Sequence, residues 1–145
     1  MSTLFALAQR ICRGDSLPPP VARLIGFTLT SIAPGHARIA FEAGAQHANP
    51  MGTLHGGILC DIADAAMGMA YASTLGDGET FTTLELKMNF LKPVWQASLQ
   101  AIGRVVQHGR TVGLVECDIL DADEVLVARA TSTCMTLRGD QARGR

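Results

Sequence analysis

Hydrophobic and polar positions follow two rhythms along this chain, and each marks out different elements. Leu4, Leu7, Ala8 and Ile11 recur at helical spacing and predict a short amphipathic helix over residues 2–12. Pro18-Pro19-Pro20 stops that helix and predicts a stiff, extended connection. Two strand-like runs follow, Leu24–Ile32 and Ala37–Glu42. The second sets Ala37, Ile39 and Phe41 against Arg38 and Glu42. Pro34-Gly35 between them reads as a turn.

Residues 43–54 are small and turn-rich, with Asn49-Pro50 and Gly52. From Ile58 to about Thr74 helical spacing returns, and here apolar residues cover most of the circumference: Ile58, Leu59, Ile62, Ala66, Met67 and Tyr71 among them. A helix of that kind has to be enclosed. Gly76-Asp77-Gly78 ends it. Period two then resumes. Thr80–Leu91 sets Leu84, Leu86, Met88 and Phe90 against Thr83, Glu85, Lys87 and Asn89. Ala97–Gln107, Thr111–Leu120 and Val125–Leu137 complete the set, with His108-Gly109 and Asp121-Ala122-Asp123 as turns. The order is β-β-α-β-β-β-β. Short hairpins between the last four strands predict a mostly antiparallel sheet, and curvature around the single long helix would bury both, an α+β arrangement. The expected division is a helical segment over 1–17, one domain over 18–138 and a polar, flexible tail over 139–145.

Composition narrows the function classes. The 145 residues suit one domain, and 48% apolar against 17% charged residues excludes a disordered chain. A net charge of −1 supplies no basic field for nucleic acid. Mean hydropathy of +0.22 is high for so few charges and points to apolar surface covered by another subunit. No run approaches the ~20 apolar residues of a membrane span. The opening residues lack the basic start and the cleavage site of an export signal. Cys12, Cys60, Cys117 and Cys134 are widely spaced, as expected of reduced thiols in the cytoplasm. The four histidines, 36, 47, 55 and 108, have no ligand spacing, so neither a metal nor another cofactor is expected.

The chemistry concentrates between Asn49 and Asp64. His55-Gly56-Gly57 delivers a loop to the start of the apolar helix. Glycines there leave bare N–H groups at the positive end of the helix dipole, able to hold a carbonyl oxygen as it gains charge. The same glycines would also serve a tight turn or close packing. Asp64 sits among Ala63, Ala65, Ala66 and Met67, where an ionised carboxylate is costly unless paired or functional. Asp61 is the alternative acid, one turn earlier and about 60° around the helix. Gly56 and Asp64 are eight positions apart, about 12 Å along one helix. Groups acting on one bond must come within about 3–3.5 Å. If both act on the same bond, they come from two subunits with antiparallel helices, and the protein is at least a dimer.

With Asn49 six residues before His55, Asp64 nine after it and the Asn89–Pro93 run in the following strand, the chain resembles the hotdog-fold acyl-CoA thioesterases. Within them it is similar to the PaaI-like, phenylacetic acid degradation-related group with its HGG motif. The resemblance spans roughly Pro20 to Leu137. It implies a hotdog fold and hydrolysis of a CoA thioester to a free acid and CoA. The acyl group would be aryl, such as phenylacetyl or hydroxybenzoyl, or medium- to long-chain. It implies that the Gly56 N–H polarises the thioester carbonyl. Asp64 of the partner would be nucleophile or general base, and Asn49 would help hold the water or the carbonyl. His55 would orient the loop through Asn49. Thr83, with Thr82 as runner-up, matches the Ser/Thr that assists the carboxylate or the water; its other reading is an ordinary strand threonine.

For substrate binding, Gly57 lies beside the oxyanion position. Met51, Leu54, Met67 and Tyr71 are candidates for the acyl pocket, and Lys92 and Arg110 for the CoA phosphates. Core packing and surface solvation are the competing fates of those residues. The expected partners are an acyl-CoA and further copies of the chain, as a dimer or a tetramer built from two dimers; no nucleic acid or membrane is expected. A non-catalytic acyl-CoA-binding or regulatory protein and a hotdog dehydratase are the alternatives. A dehydratase typically wants a histidine base on the helix or loop. Here the carboxylate holds that place.

Overall fold

A computed structural model describes residues 1–145. Helix α1 spans Thr3–Arg13; the Ser2 hydroxyl accepts from the Phe5 N–H at its start. That hydroxyl also donates to Ala72 O, 3.1 Å away, which fastens α1 to the end of the central helix. The proline run departs from expectation. Pro20 does not stay extended but occupies the first position of a short helix α2, Pro20–Ile25. Its fixed φ suits that position, and its missing N–H is one that no helix would use. Gly26, at φ 95°, turns the chain out of α2. Strand β1 therefore starts at Phe27, not Leu24, and runs to Ala33.

Strand β2 covers His36–Ala43, and the long helix α3 covers Gly56–Ala72. Then come β3 (Thr80–Phe90), β4 (Ala97–His108), β5 (Val112–Leu120) and β6 (Leu126–Leu137). All six strands form one antiparallel sheet in the order β1-β2-β4-β5-β6-β3. The expected run of hairpins holds for β4-β5-β6 but not for β3-β4. Residues 91–96 instead carry the chain across the end of the sheet, with the Leu91 and Lys92 N–H groups both on Val127 O. Strand β3 is thereby paired with β6 and forms an outer edge. The curved sheet wraps α3 in the hotdog arrangement.

Alanines on α3 set its depth. Ala63, Ala66 and Ala70 are fully buried, and the helix lies against β4 so closely that a Cβ on Gly103 would meet Ala66 O at 2.4 Å. Ile62, Met67 and Tyr71 fill the remaining core, each worth about 1.5–3 kcal/mol when fully buried. All four cysteines are free thiols, and burial pushes Cys117 up to about 12. No helix is long and apolar enough to cross a membrane.

Candidate active site

The loop before α3 is built on Asn49. Its Oδ1 accepts from the N–H groups of Met51 (2.9 Å) and Thr53 (3.2 Å), while its Nδ2 donates to Thr53 Oγ1 at 2.7 Å. This is a self-closed turn of the kind asparagine favours. Buried His47 anchors the loop's other side. Its Nδ1 accepts from the Gly44 N–H, so Nε2 carries the proton and donates to Ile25 O at 2.8 Å. Its backbone carbonyl accepts the His55 N–H. His47 was not singled out from the sequence, because one histidine in a loop carries no spacing signal.

His55 is the residue before the first turn of α3, and its Nδ1 accepts from the Gly57 N–H at 2.9 Å. Its bonding differs from the expectation. The ring caps its own helix and makes no bond to Asn49, whose polar atoms are already occupied within the turn. The Gly57 N–H is also spoken for. The Gly56 N–H, at the first helical position, has no acceptor within the helix. Phe90 packs on the Cα side of Gly56: a Cβ there would lie 2.8 Å from the ring's Cζ. Only glycine gives the ring that approach.

Asp64 lies two turns further on. One stripe of α3 stays open to solvent in the protomer, formed by Gly57, Asp61 and Asp64 at helical spacing. Asp64 is thus exposed, not enclosed as the apolar helix suggested. The Thr83 hydroxyl donates to its Oδ1 at 3.2 Å. Simple alternation along β3 would have turned Thr83 outward with Glu85 and Lys87. A bulge at Leu84 adds one residue between Thr83 and Glu85. Thr83 consequently pairs across to buried Cys134 and faces α3, on the same side as Leu86 and Met88. Asp61 has its pKa raised, first by desolvation and then by the negative charge of Asp64.

Both carboxylates open onto a cavity of about 430 Å³ under α1. Its other walls are apolar and include Leu7, Ile11, Val21, Phe27 and Met69. None of the expected acyl-pocket residues lines it. Met67 and Tyr71 are fully buried core, Tyr71 with its hydroxyl on Thr136 Oγ1 at 2.8 Å; Leu54 is buried in the core beside the loop, and Met51 is 79% exposed. Met67 and Tyr71 went to the sheet side, where the core needed them, while Met69 of the same helix lines the cavity. The α1 stripe was legible in the sequence, but not that it roofs a cavity over the carboxylates.

The two basic candidates do not meet within one protomer. The Lys92 N–H bonds to Val127 O at one end of β6, while Thr111, next to Arg110, bonds through its carbonyl to Thr136 at the other. Those anchors lie nine positions apart along the strand, about 30 Å. Lys92 is ion-paired to Asp121 at 2.5 Å, and Arg110 is exposed at the β4–β5 turn.

The sequence profile of the Thioesterase superfamily matches residues 51–128, the stretch holding Gly56, Asp64 and Thr83. The chain belongs to the thioesterase superfamily. This thioesterase is 31% identical over 118 residues to an esterase-named protein of Saccharolobus solfataricus, covering 81% of this chain and 84% of that one. It is 26% identical over 114 residues to human acyl-coenzyme A thioesterase 13, covering 77% and 81%. Among solved structures it superposes on a phenylacetic acid degradation-related protein from Ralstonia eutropha with a TM-score of 0.80. That match has 32% identity and covers 89% of this chain and 98% of the other. The thioesterase is therefore a thioester hydrolase, with a PaaI-like chain and fold.

Proposed function

We propose that this thioesterase hydrolyses acyl-CoA, with Asp64 attacking the thioester carbonyl or deprotonating the water that attacks it. The observation that carries this reading is Asp64, oriented by Thr83 and opening onto an apolar cavity, on the helix whose first N–H is left bare at Gly56. That N–H is the oxyanion donor. As base, Asp64 takes the water's proton, the C–S bond breaks, and the CoA thiolate leaves. As nucleophile, its carboxylate forms a mixed anhydride that a water then cleaves. The acyl-CoA name of the human relative supports the substrate class. The phenylacetate name of the Ralstonia relative supports aryl-CoA esters as substrates and a place in phenylacetate degradation.

Gly56 and Asp64 stand about 12 Å apart along one helix, so the working site joins Asp64 of one protomer to Gly56 of another. The edge strand β3, with Leu84 and Phe90 more than half exposed, supports pairing between protomers. The exposed outer-face residues Val106, Val112 and Leu114 support association of two dimers into a tetramer. Thiol release from acetyl- to palmitoyl-CoA, phenylacetyl-CoA and hydroxybenzoyl-CoA tests the reading, run beside Asp64→Asn. Release that falls by orders of magnitude in Asp64→Asn is the expected result. Turnover unaffected by that change removes Asp64 from the chemistry, and no release from any ester leaves a binding protein. Single turnover in ¹⁸O-water separates nucleophile from base, since only the nucleophile route can put label into Asp64.

A further inference from the structure

The cavity under α1 is built largely by residues that precede the sheet: Leu4, Leu7 and Ile11 on α1, and Val21 on α2. Phe27 and Met69 contribute from β1 and α3. Its charged side chains, Asp61 and Asp64, stand one turn apart on a single stripe of α3. The geometry points to this cavity as the acyl chamber, holding an apolar acyl group that carries no hydroxyl, in the protomer that supplies Asp64. The inference rests on the hydrolytic reading above and adds the substrate class and the walls that select it.

Three observations carry it. The chamber is continuous with the carboxylate, so an acyl carbonyl at Asp64 directs its chain under α1. Its walls offer a ring hydroxyl no partner except the two carboxylates, which face the carbonyl end. A buried hydroxyl without a partner costs about 1–3 kcal/mol, so a hydroxyaryl group is disfavoured against a plain chain. The volume leaves room for a medium-length acyl group, since about 430 Å³ is many times the ~30 Å³ share of one liquid water. Leu7 and Val21 line the cavity and are 41% and 50% exposed, so larger side chains there can be accommodated without rebuilding the core.

Leu7→Trp and Val21→Trp narrow the chamber from two different helices. Arg13→Trp, exposed on the opposite side of α1, is the matched control. In both narrowing variants the ratio of kcat/KM for decanoyl-CoA to that for butyryl-CoA should fall at least tenfold, with the control ratio unmoved. The thioether S-decyl-CoA, which cannot be hydrolysed, should bind Asp64→Asn protein, and adding Leu7→Trp should weaken it in parallel. An unchanged ratio in both folded variants overturns the chamber while leaving thioester hydrolysis standing. So does faster turnover of hydroxybenzoyl-CoA than of decanoyl-CoA. If no ester releases thiol but S-decyl-CoA binds and loses affinity with Leu7→Trp, the chamber stands and the hydrolytic reading falls.

Discussion

The Thr83 hydroxyl donates to Asp64 Oδ1 across 3.2 Å, and the extra residue at Leu84 is what turns Thr83 toward that carboxylate. The bond restricts the carboxylate's rotation and leaves Oδ2 free to act. Thr83→Val keeps the shape and removes the donor. It should lower kcat about tenfold, close to 1.4 kcal/mol of barrier, with little change in KM. Thr83→Ser should restore most of the loss. A valine variant with wild-type kcat would show that the bond does not position Asp64.

A complementation experiment tests whether the site is shared between protomers. Gly56→Pro removes the bare N–H with a residue suited to that helical position, and Asp64→Asn removes the carboxylate. Each variant alone should be inactive. A verified mixed dimer contains one site with an intact Gly56 and an intact Asp64, so about half of wild-type activity should return. No recovery would mean that the two residues do not act on one bond from different chains.

Asp61 gives a pH-dependent stability test. Desolvation and the adjacent Asp64 charge both raise its pKa, so the folded chain binds this proton more tightly than the unfolded chain. That contribution favours the fold below the ordinary aspartate pKa of about 3.9 and is lost as the pH rises through the raised folded value. Asp61→Asn should therefore have a higher Tm than wild type at neutral pH, with the gain shrinking toward zero in acid. Its thiol release should change far less than that of Asp64→Asn. A larger loss in Asp61→Asn would make Asp61 the reacting carboxylate.

Two glycines separate backbone contact from side-chain contact. A Cβ on Gly103 meets Ala66 O at 2.4 Å and Ala66 C at 2.5 Å, atoms that can move only if α3 moves. Gly103→Ala should cost about 3 kcal/mol, the upper end for overpacking, in urea unfolding. A Cβ on Gly56 meets the tip of the Phe90 ring, which is 57% exposed and can swing aside. Gly56→Ala should cost less than a third as much. Equal costs would mean that Phe90 is clamped in place.

Much of this was legible in the chain, and the failures have physical causes. The all-round apolar helix, the β4-β5-β6 hairpins and the Gly56/Asp64 spacing follow from periodicity and turn chemistry, which are local. Pro20 misled because proline both ends one helix and starts another, and only the surroundings decide which. The β3-β4 crossing misled because pairing partners are not written in a strand's own alternation. Resemblance marks Thr83 as a candidate, but its facing depends on a bulge, and one inserted residue inverts the parity that alternation relies on. The cavity stayed hidden because Met67, Tyr71 and Met69 look alike in sequence. The rotation of α3 against the sheet sends the first two into the core and Met69 to the roof side.

The contact between Gly103 and Ala66 also divides the molecule mechanically. At that contact the backbone of α3 bears directly on Gly103, with no side chain between them to absorb a displacement. On its α1 side it faces leucine and isoleucine of α1 and valine of α2, which yield by changing rotamer. Asp64 is therefore carried on the stiff half, at a height fixed by the sheet, while differences in acyl shape are taken up by the compliant half across from it. Sequence change that retunes substrate choice has room to accumulate in the first twenty-five residues without disturbing the bearing that holds the carboxylate.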